Sequence, residues 1–473
     1  MKVLFVYSTD NAQAIQSPLS SWSSIQFGIS YISSMLKSHG HQTKLVVLGS
    51  NQSEEDNSKQ VSSCLLEYGP RLICFTAVFS QYAFIKTIAT LVKNLLPETH
   101  LLIGGPHATL RPDEVISGPF DSVCIGEGEM PSVELCEQLE HHITPHGIAN
   151  LWIKSLNGAV EKNKPRDFLQ DLDGLPFPDR EMWKPWMKAQ LNDELALLLG
   201  RGCPYDCTYC SNHALRKIAP GKYVRFRSPE NIIQEVAFLH DNYPFRKFYF
   251  EVETIAVNKP WMIDLCRQLE TFNSTIHHSI SYGCNFRIST QSMDETLFIA
   301  MKQANFSKIN IGLESGSERV RREVFKRNYS NNDFLKVVSL ARKHGLKIYL
   351  FNMIGLPGES LSDHKDTVLL NRQCQPDGHY TGIFYPYPGT ELYNTCVQKG
   401  LILGAMDAKK ERRQPIIENP NFTKTQIQRA YTWFNFRVYR GHKPLVRLLA
   451  QLVLAKIRSN PIANSWFQKI VSR

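Results

Sequence analysis

Three cysteines within eight residues are the clearest chemical feature of the sequence: Cys203, Cys207 and Cys210, in LLLGRGCPYDCTYCSNHA. Thiolates are soft ligands that suit zinc, copper(I) or iron–sulfur clusters. A structural zinc site usually takes four ligands in two pairs, but the sequence has no second C-x-x-C pair, and His213 is the one other nearby candidate. A cubane cluster on three cysteines keeps one iron open for a substrate or cofactor. We therefore expect a three-cysteine cluster, with zinc and three separate thiols as alternatives.

The cysteine loop follows directly on ELALLLG, an apolar run that predicts a buried strand, and Gly202 and Pro204 favour a tight turn. Further strand candidates are KFYFEVE, HSISYGCNF, KINIGLES, KIYLFNMIG and HYTGIFYPY, with helical patterns at 229–243, 260–272, 294–303, 317–325, 332–344 and 362–372. Six strands over roughly 200 residues fall short of the eight that fill a complete barrel of about 250. We therefore expect a partial, TIM-like (β/α)6 barrel. Its first strand would present the cysteines at the carboxyl end, where barrel active sites lie.

The N-terminal part of the chain also alternates between strand and helix patterns. Its strand candidates are KVLFVY, TKLVVLG, RLICFTAV, HLLIGGPHA and DSVCIGEGEM, with helical patterns from 24 to Gly40, from 81 to 96 and from 131 to 139. This alternation predicts an α/β fold with a parallel, doubly wound sheet. Ligands of such sheets bind beyond the carboxyl ends of the strands, where the turns TAVFS, GGPHA and GEGE lie. Taken alone, these glycine turns fit any doubly wound domain.

Length and composition are those of a soluble protein of two or three domains, with 473 residues, 42% of them hydrophobic and 21% charged. We expect no export signal and no membrane span, because no apolar run reaches about 18 residues. The chain has 11 cysteines, an odd number, and those outside the loop are scattered singly among apolar neighbours. This pattern favours a reducing cytoplasm. We expect domains at 1–141 and 191–400, a connector at 142–190, and a C-terminal region at 401–473.

The net charge of +10 comes entirely from the C-terminal end of the chain. Residues 421–473 carry ten lysines and arginines and no acidic residue, which leaves 44 basic and 44 acidic residues in the rest. The segment PLVRLLAQLVLAKIRS predicts a basic amphipathic helix with Arg447, Gln451 and Arg458 on its narrow polar face. Anionic lipid, nucleic acid or the body of the protein could lie against this region. We favour a membrane surface and expect no nucleic-acid partner.

The C-x-x-x-C-x-x-C loop, with Tyr209 before its last cysteine, resembles that of the radical S-adenosylmethionine (SAM) superfamily. The resemblance extends over residues 195–401. It implies that Cys203, Cys207 and Cys210 hold a [4Fe–4S] cluster whose open iron binds SAM. It also implies that an electron from the cluster cleaves SAM to a 5′-deoxyadenosyl radical, and so that an external one-electron reductant is needed.

Later strands extend the same resemblance. FEVETIAVN resembles the acidic second strand, although glutamates stand where the family usually has paired aspartates. CNFRIST, IGLESGSERVRREVFKRN, NMIGLPGES and YPYPGTELY resemble the third to sixth strands. The residues that the resemblance assigns to SAM binding are Tyr209, Glu251, Glu253, Arg287, Glu314, Ser315 and Asn352. The alternative for Glu314 is an ordinary ion pair with Arg287.

The turns upstream of the barrel, with LPFPDR after them, resemble those of the cobalamin-binding branch of this superfamily, which has a flavodoxin-like, Rossmann-like cobalamin domain. The residues that this resemblance assigns to cobalamin are Thr76, Ser80, Gly104, Gly105, His107, Gly126, Glu127 and Gly128. Many cobalamin domains carry D-x-H-x-x-G, whose histidine binds cobalt. The one match here, Asp377–Gly382, lies in the barrel region, and we interpret it as coincidence. We expect His107 to be a wall residue rather than a cobalt ligand.

Together, the two cofactors imply radical chemistry at an unactivated carbon. Our leading hypothesis is carbon methylation of a small or lipid-like substrate through the 5′-deoxyadenosyl radical, with methylcobalamin as methyl donor. The alternative is oxidative cyclisation or ring rearrangement without methyl transfer. A non-catalytic cobalamin sensor fits less well, because a sensor does not need an open iron. Methylthiolation of transfer RNA is disfavoured, because no further cluster cysteines precede the barrel and no small C-terminal barrel is visible. We expect a cytoplasmic enzyme, peripheral to the membrane through its basic tail.

Overall fold

The structure is a computed structural model that describes residues 1–459 except 11, 13, 16, 156, 188–193 and 405. Internal contacts divide the chain into two compact units. The first comprises residues 1–205, 211–253 and 272–281, and the second comprises residues 206–210, 254–271 and 282–473. The short segment 206–210 therefore belongs to the second unit, although the residues on either side of it belong to the first.

The strands of the first unit are β1 (Lys2–Thr9), β2 (Gln42–Gly49), β3 (Leu72–Thr76), β4 (His100–Gly104), β5 (Ser122–Cys124), β6 (Leu151–Lys154), β7 (Val160–Lys162), β8 (Leu195–Leu198), β9 (Gly200–Arg201), β10 (Arg225–Phe226) and β11 (Lys247–Glu251). Its helices are α1 (Phe27–Ser38), α2 (Glu54–Tyr68), α3 (Phe79–Leu95), α4 (Pro106–Leu110), α5 (Pro112–Ile116), α6 (Glu129–Glu140), α7 (Asn212–Leu215) and α8 (Pro229–Asn242).

The N-terminal sheet has the predicted flavodoxin-like topology. Among the described residues its strand order is β2-β1-β3-β4-β5-β6-β7, and the first five strands are parallel. The order 2-1-3-4-5 is that of flavodoxin-like sheets, whose ligands bind outside the carboxyl ends of the strands. Strand β1 lies in the interior of the sheet, and Val3, Leu4, Phe5 and Val6 are fully buried, as expected for strands covered on both faces.

Strands β6 and β7 and helix α2 are among the elements of this unit that the sequence did not predict. Strands β6 and β7 lie within the predicted connector and extend the sheet in antiparallel fashion. They are only four and three residues long, too short for a recognisable alternation of apolar residues. Helix α2 begins after Ser53, whose side chain accepts a hydrogen bond from the backbone N–H of Asp56. Its sequence is largely polar, so that its narrow apolar stripe gives no clear periodicity.

The strands of the second unit are β12 (Ser281–Phe286), β13 (Phe306–Glu314), β14 (Lys347–Ile354) and β15 (Gly378–Ile383). Its helices are α9 (Lys259–Thr275, whose last residues count with the first unit), α10 (Glu295–Gln303), α11 (Asn331–Lys343), α12 (Leu361–Cys374), α13 (Glu391–Gln398), α14 (Lys424–Tyr439) and α15 (Leu445–Ser459).

The second sheet is the six-stranded sheet predicted for a partial barrel. Within the described chain its strand order is β15-β14-β13-β12-β11-β8, and the pairs for which the register is known are parallel. Helices follow the strands in sequence, as right-handed β-α-β crossovers require. The helix predicted over 317–325 is instead a single π turn, Val320–Val324. The fold class expected from the sequence, α/β with a doubly wound sheet followed by a partial barrel, is confirmed.

Candidate cofactor sites

The first unit contains a cavity of about 290 Å³ at the carboxyl edge of the N-terminal sheet. The last residues of β3 and β4, Thr76 and Gly104, contribute to its wall, as do Gly105 and Gly126 in the turns after β4 and β5. Aromatic side chains cover much of the rest: Phe5, Tyr31, Phe75, Phe168 and Tyr223. A largely apolar cavity with few polar groups is typical of cofactor sites.

Glycine is required in these turns for close packing. Gly105 has φ = 95°, and a Cβ there would lie 2.8 Å from Thr76 Oγ1 and 2.9 Å from the carbonyl oxygen of Ala77. A Cβ on Gly128 would lie 2.8 Å from Ile32 Cδ1. A side chain at position 105 would therefore displace the backbone of the wall, which explains why this turn carries glycine, whereas at position 128 the Ile32 methyl group would have to move.

Six of the eight residues predicted to bind cobalamin line this cavity: Thr76, Gly104, Gly105, Gly126, Glu127 and Gly128. Ser80 and His107 are not among its described lining residues. Ser80 lies in the first turn of α3. His107 is buried, with its ring centroid 4.3 Å from that of Tyr82 and its Nε2 3.7 Å from Glu114 Oε1. Burial lowers the pKa of His107, so we assign it a packing role beside the cavity.

Glu127 is the centre of a charge network at the cavity wall. Its carboxylate accepts hydrogen bonds from Arg201 Nη1 at 2.9 Å, from Arg225 Nη1 at 2.9 Å and from the backbone N–H of Leu169 at 2.8 Å. Burial alone would raise the pKa of Glu127, but the two guanidinium groups lower it below its ordinary value. Glu127 therefore stays ionised and holds two arginines in place, a function that its sequence context did not reveal.

The same cavity reaches the segment that precedes the cysteine loop. Leu198, Arg201 and Gly202 all line it, and Gly202 is the residue immediately before Cys203. Arg201 also donates to Glu129 Oε1 and stacks over the ring of Tyr31, with 5.4 Å between the guanidinium carbon and the ring centroid. The predicted cobalamin site and the start of the predicted cluster loop thus belong to one wall of the first unit.

A buried ion-pair triad fixes strand β8, on which the cysteine loop begins. Glu235 of α8 is fully buried and accepts from Arg180 Nη2 at 2.8 Å and from Arg227 Nη1. The two arginines also donate to the carbonyl oxygens of Ala196 and Leu198, at 2.8 and 3.0 Å. Each charge of the triad is hydrogen-bonded, as buried charges must be.

The three loop cysteines divide between the two units. Cys203 is buried in the first unit, whereas Cys207, buried, and Cys210, half-buried, belong to the second. Arg287, which follows β12, donates through Nη1 to Cys207 Sγ at 2.9 Å. This contact holds the side chain of Cys207 in place beside the end of β12.

Among the described residues, no group of three or more His, Cys, Asp or Glu side chains is arranged to hold a metal ion. The assignment of an iron–sulfur cluster to this loop therefore rests on the type and spacing of the three thiols. Three thiols at this spacing, one of them held by a guanidinium, match the thiolate ligands that iron–sulfur clusters use. Cys203, Cys207 and Cys210 remain our predicted ligands.

Tyr209 lies in a buried polar network within the second unit. Its hydroxyl donates to Glu314 Oε1 at 3.1 Å and accepts from Arg327 Nη2, which is also 3.3 Å from Glu314 Oε1. Arg327 Nη1 donates to the carbonyl oxygen of Gly312 at 2.6 Å. Burial alone would lower the pKa of Arg327, but Tyr209 and Glu314 raise it. Arg327, which sequence reasoning did not single out, therefore ties the cysteine loop to the end of β13.

Glu314 occupies an uncommon backbone conformation for its residue type, with φ = 62° at the carboxyl end of β13. Ser315 follows it, fully buried, and its backbone N–H donates to the carbonyl oxygen of Leu313 at 2.8 Å. Left-handed conformations of residues other than glycine cluster at functional sites. The partner that the structure gives Glu314 is Arg327, whereas the sequence suggested Arg287 as its ion-pair partner.

The other residues predicted to bind SAM lie in different environments. Asn352 is buried and forms a reciprocal amide pair with Asn371 of α12, with N···O distances of 3.2 and 2.8 Å. Glu251 and Glu253 lie at the end of β11 in the first unit, the former half-buried and the latter exposed. The structure therefore brings Tyr209 and Glu314 into direct contact, and it gives Asn352 a structural partner.

The glycine turn of NMIGLPGES is held by a buried carboxyl group. Glu359 Oε2 accepts from the backbone N–H groups of Gly355 and Leu356, at 2.6 and 3.0 Å. Burial raises the pKa of Glu359 to about 8. His379 of the D-x-H-x-x-G match is half-buried in this unit and stacks on Tyr439, which supports our interpretation of that match as coincidence.

Comparison with known proteins identifies both domains. Residues 197–370 match the radical SAM superfamily, and residues 24–136 match the B12 binding domain. An uncharacterized methyltransferase of Pyrococcus horikoshii is 27% identical over 418 residues, which cover 87% of each chain. The cytidylyl-2-hydroxyethylphosphonate methyltransferase of Streptomyces wedmorensis is 23% identical over 433 residues, covering 79% of this chain and 78% of the relative.

A solved structure shares the fold of nearly the whole chain. The radical SAM methyltransferase TsrM of Kitasatospora setae, solved with cobalamin and a [4Fe–4S] cluster, aligns with a TM-score of 0.68 at 14% identity, covering 94% of this chain and 89% of TsrM. The chain therefore contains a B12-binding domain followed by a radical SAM domain, and it is an enzyme of the kind that combines these two domains. Its cofactors are cobalamin, SAM and an iron–sulfur cluster.

Proposed function

We propose that the enzyme transfers a methyl group from SAM, by way of cobalamin, to a carbon atom of a small-molecule substrate. The observation that carries the proposal is the cavity of the first unit. Its wall combines the glycine turns of the B12-binding domain with Gly202, the residue before the first loop cysteine. A methyl carrier beside the radical-generating loop is the arrangement that carbon methylation needs.

The cofactors supply, when bound, a transferable methyl group and a radical able to abstract hydrogen from carbon. The protein's own residues position them. Cys203, Cys207 and Cys210 would ligate the cluster. The Glu127 carboxylate holds the side chains of Arg201 and Arg225 in place at the cavity wall. The apolar lining excludes water, which would otherwise quench reactive species.

Methyl transfer is favoured over cyclisation or ring rearrangement by the related proteins. The two relatives described above are both named methyltransferases. The substrate of the phosphonate enzyme differs from the tryptophan with which TsrM has also been solved. We infer a shared type of reaction rather than a shared substrate.

Anaerobic incubation with methyl-labelled SAM, cobalamin and a strong one-electron reductant tests the proposal without knowledge of the substrate. We expect S-adenosylhomocysteine to form and the label to be recovered in the cobalamin fraction. With substrate, 5′-deoxyadenosine should form as well. Formation of 5′-deoxyadenosine with no S-adenosylhomocysteine and no labelled cobalamin would instead support the alternative, oxidative cyclisation or ring rearrangement.

A further inference from the structure

The outer face of the C-terminal helix α15 is apolar and exposed. Leu445, Val446, Leu449 and Val453 are 58, 81, 45 and 55% exposed. At 3.6 residues per turn these four side chains fall within about a third of the helix circumference. They therefore form one continuous row, unlike the scattered apolar residues that are normal on protein surfaces.

A neighbouring face of α15 holds the helix on the second unit. Leu448 and Leu452 are buried, and Leu448 belongs to a cluster with Phe434 and Val438 of α14. Gln451 Oε1 accepts from Asn435 Nδ2 of α14 at 2.7 Å. The orientation of α15 is therefore fixed by its own packing, and the exposed row is not a frayed end.

A cationic groove adjoins this row. The lining of this concavity includes Lys424, Arg429, Trp433 and Lys456. Lys456 lies on the same side of α15 as Leu445 and Leu449 by helical periodicity, and its Nζ is 5.8 Å from the ring centroid of Trp433. Apolar side chains, lysine or arginine and a tryptophan thus share one surface.

We propose that this surface, formed by α14 and α15, docks on an anionic membrane. Aliphatic side chains suit the acyl boundary, tryptophan suits the interface, and cations suit anionic headgroups. Residues 421–473 contain no acidic residue, so charge complementarity favours an anionic occupant. A second copy of the chain would place like charges against each other, and nucleic acid would leave the aliphatic row without a partner.

The expected contact is peripheral. No helix in the described ranges is long and apolar enough to cross a membrane. The side chain of Arg458, which the sequence placed on the polar face, is not among those that the structure describes. The proposed docking surface consists of the exposed row together with Arg429, Trp433 and Lys456.

Vesicle flotation of the full-length, cofactor-loaded protein tests the proposal. Phosphatidylcholine vesicles with and without phosphatidylglycerol are the probes. We expect flotation with the anionic vesicles that weakens as salt is added, because surface charge interactions are screened. The V446S/L449S double variant should bind at least about tenfold more weakly, since it removes most of the inserted apolar area. Each of R429Q and K456Q should weaken binding about fivefold.

V397S is the matched control, because Val397 is also an aliphatic residue that is 53% exposed in the second unit, but on α13. We expect it to bind as the wild type does. These point variants are preferable to deletion of residues 443–473, which would uncover Phe434 and Val438. Unchanged binding by V446S/L449S, an equal loss in V397S, or equal binding to neutral vesicles would overturn the proposal. So would dissociation of a dimer by V446S/L449S in sedimentation velocity.

Discussion

Three glutamates of this protein are neutralised by arginine side chains that lie against them. Glu235 lies between Arg180 and Arg227, Glu127 between Arg201 and Arg225, and Glu314 beside Arg327. In each case at least one partner is distant in sequence or lies on a different element. These contacts hold β8, the cavity wall and the cysteine loop, respectively, so a single substitution in them should affect structure and cofactor binding together.

Arg327→Met should lower the free energy of unfolding by about 3–5 kcal/mol, because it leaves Glu314 buried without its cation. Urea unfolding followed by circular dichroism measures the change. The double variant R327M/E314Q, which removes both charges, should recover part of the loss. A double variant no more stable than R327M would show that the guanidinium does not act through Glu314.

Glu235 should make the stability of the protein depend on pH below its ordinary pKa of 4.5. Burial alone would raise the pKa of Glu235, but Arg227 and Arg180 lower it below that value in the folded state. The unfolded chain therefore takes up a proton first, and stability is lost as the pH falls through the folded pKa. Urea midpoints measured from pH 6 down to pH 3 should fall less in E235Q than in the wild type. Parallel curves for the two proteins would contradict this assignment.

The sequence indicated the cluster and cofactor residues by type and spacing, but not the charges that hold them. Cys203, Cys207 and Cys210 stand out because their spacing is local. Arg327 does not, because its contact with Tyr209 joins residues 118 apart. Arg225 and Glu127 are likewise 98 residues apart. Such pairs depend on how the elements pack, which one sequence does not specify.

At the scale of elements, the carboxyl ends of β3, β4 and β5 place the glycine turns on one edge of the sheet. This arrangement was predictable because the strands are rich in apolar, β-branched residues and end in short turns. Helix α2 and strands β6 and β7 were not predictable, because their stability comes from packing on the sheet rather than from their own apolar pattern. The predicted connector is therefore in part an extension of the sheet.

Gly105→Ala should reduce both stability and cobalamin retention, because its Cβ would press on Thr76 and on the backbone of Ala77. Gly40→Ala is the matched control: its φ of 81° is also left-handed, but nothing lies within 4 Å of the added Cβ. We expect G40A to cost only the backbone strain, about 1–2 kcal/mol, and to retain cobalamin. Cobalamin content after gel filtration and thermal melting measure the two effects. Equal retention by both variants would refute the proposed role of the turn.

At the scale of the whole molecule, the charge distribution separates the catalytic body from the C-terminal surface. Residues 1–420 are electrically balanced, and the excess of +10 lies in 421–473. This separation was visible in the sequence, but the direction in which the apolar side of α15 faces was not. The structure shows Leu448 and Leu452 turned inward and Val446 and Leu449 outward.

Our principal conclusion is that the three loop cysteines hold the cluster of an enzyme whose cobalamin site lies at the carboxyl edge of the N-terminal sheet. Cys203→Ala, Cys207→Ala and Cys210→Ala, reconstituted anaerobically with iron, sulfide and cobalamin, test it most directly, with Cys64→Ala as the control for a buried cysteine elsewhere. We predict that each loop variant loses the iron and sulfide of the cluster and forms no 5′-deoxyadenosine from SAM, while cobalamin is retained. C64A should keep both cofactors. Loop variants that retain the cluster and still cleave SAM would contradict the account.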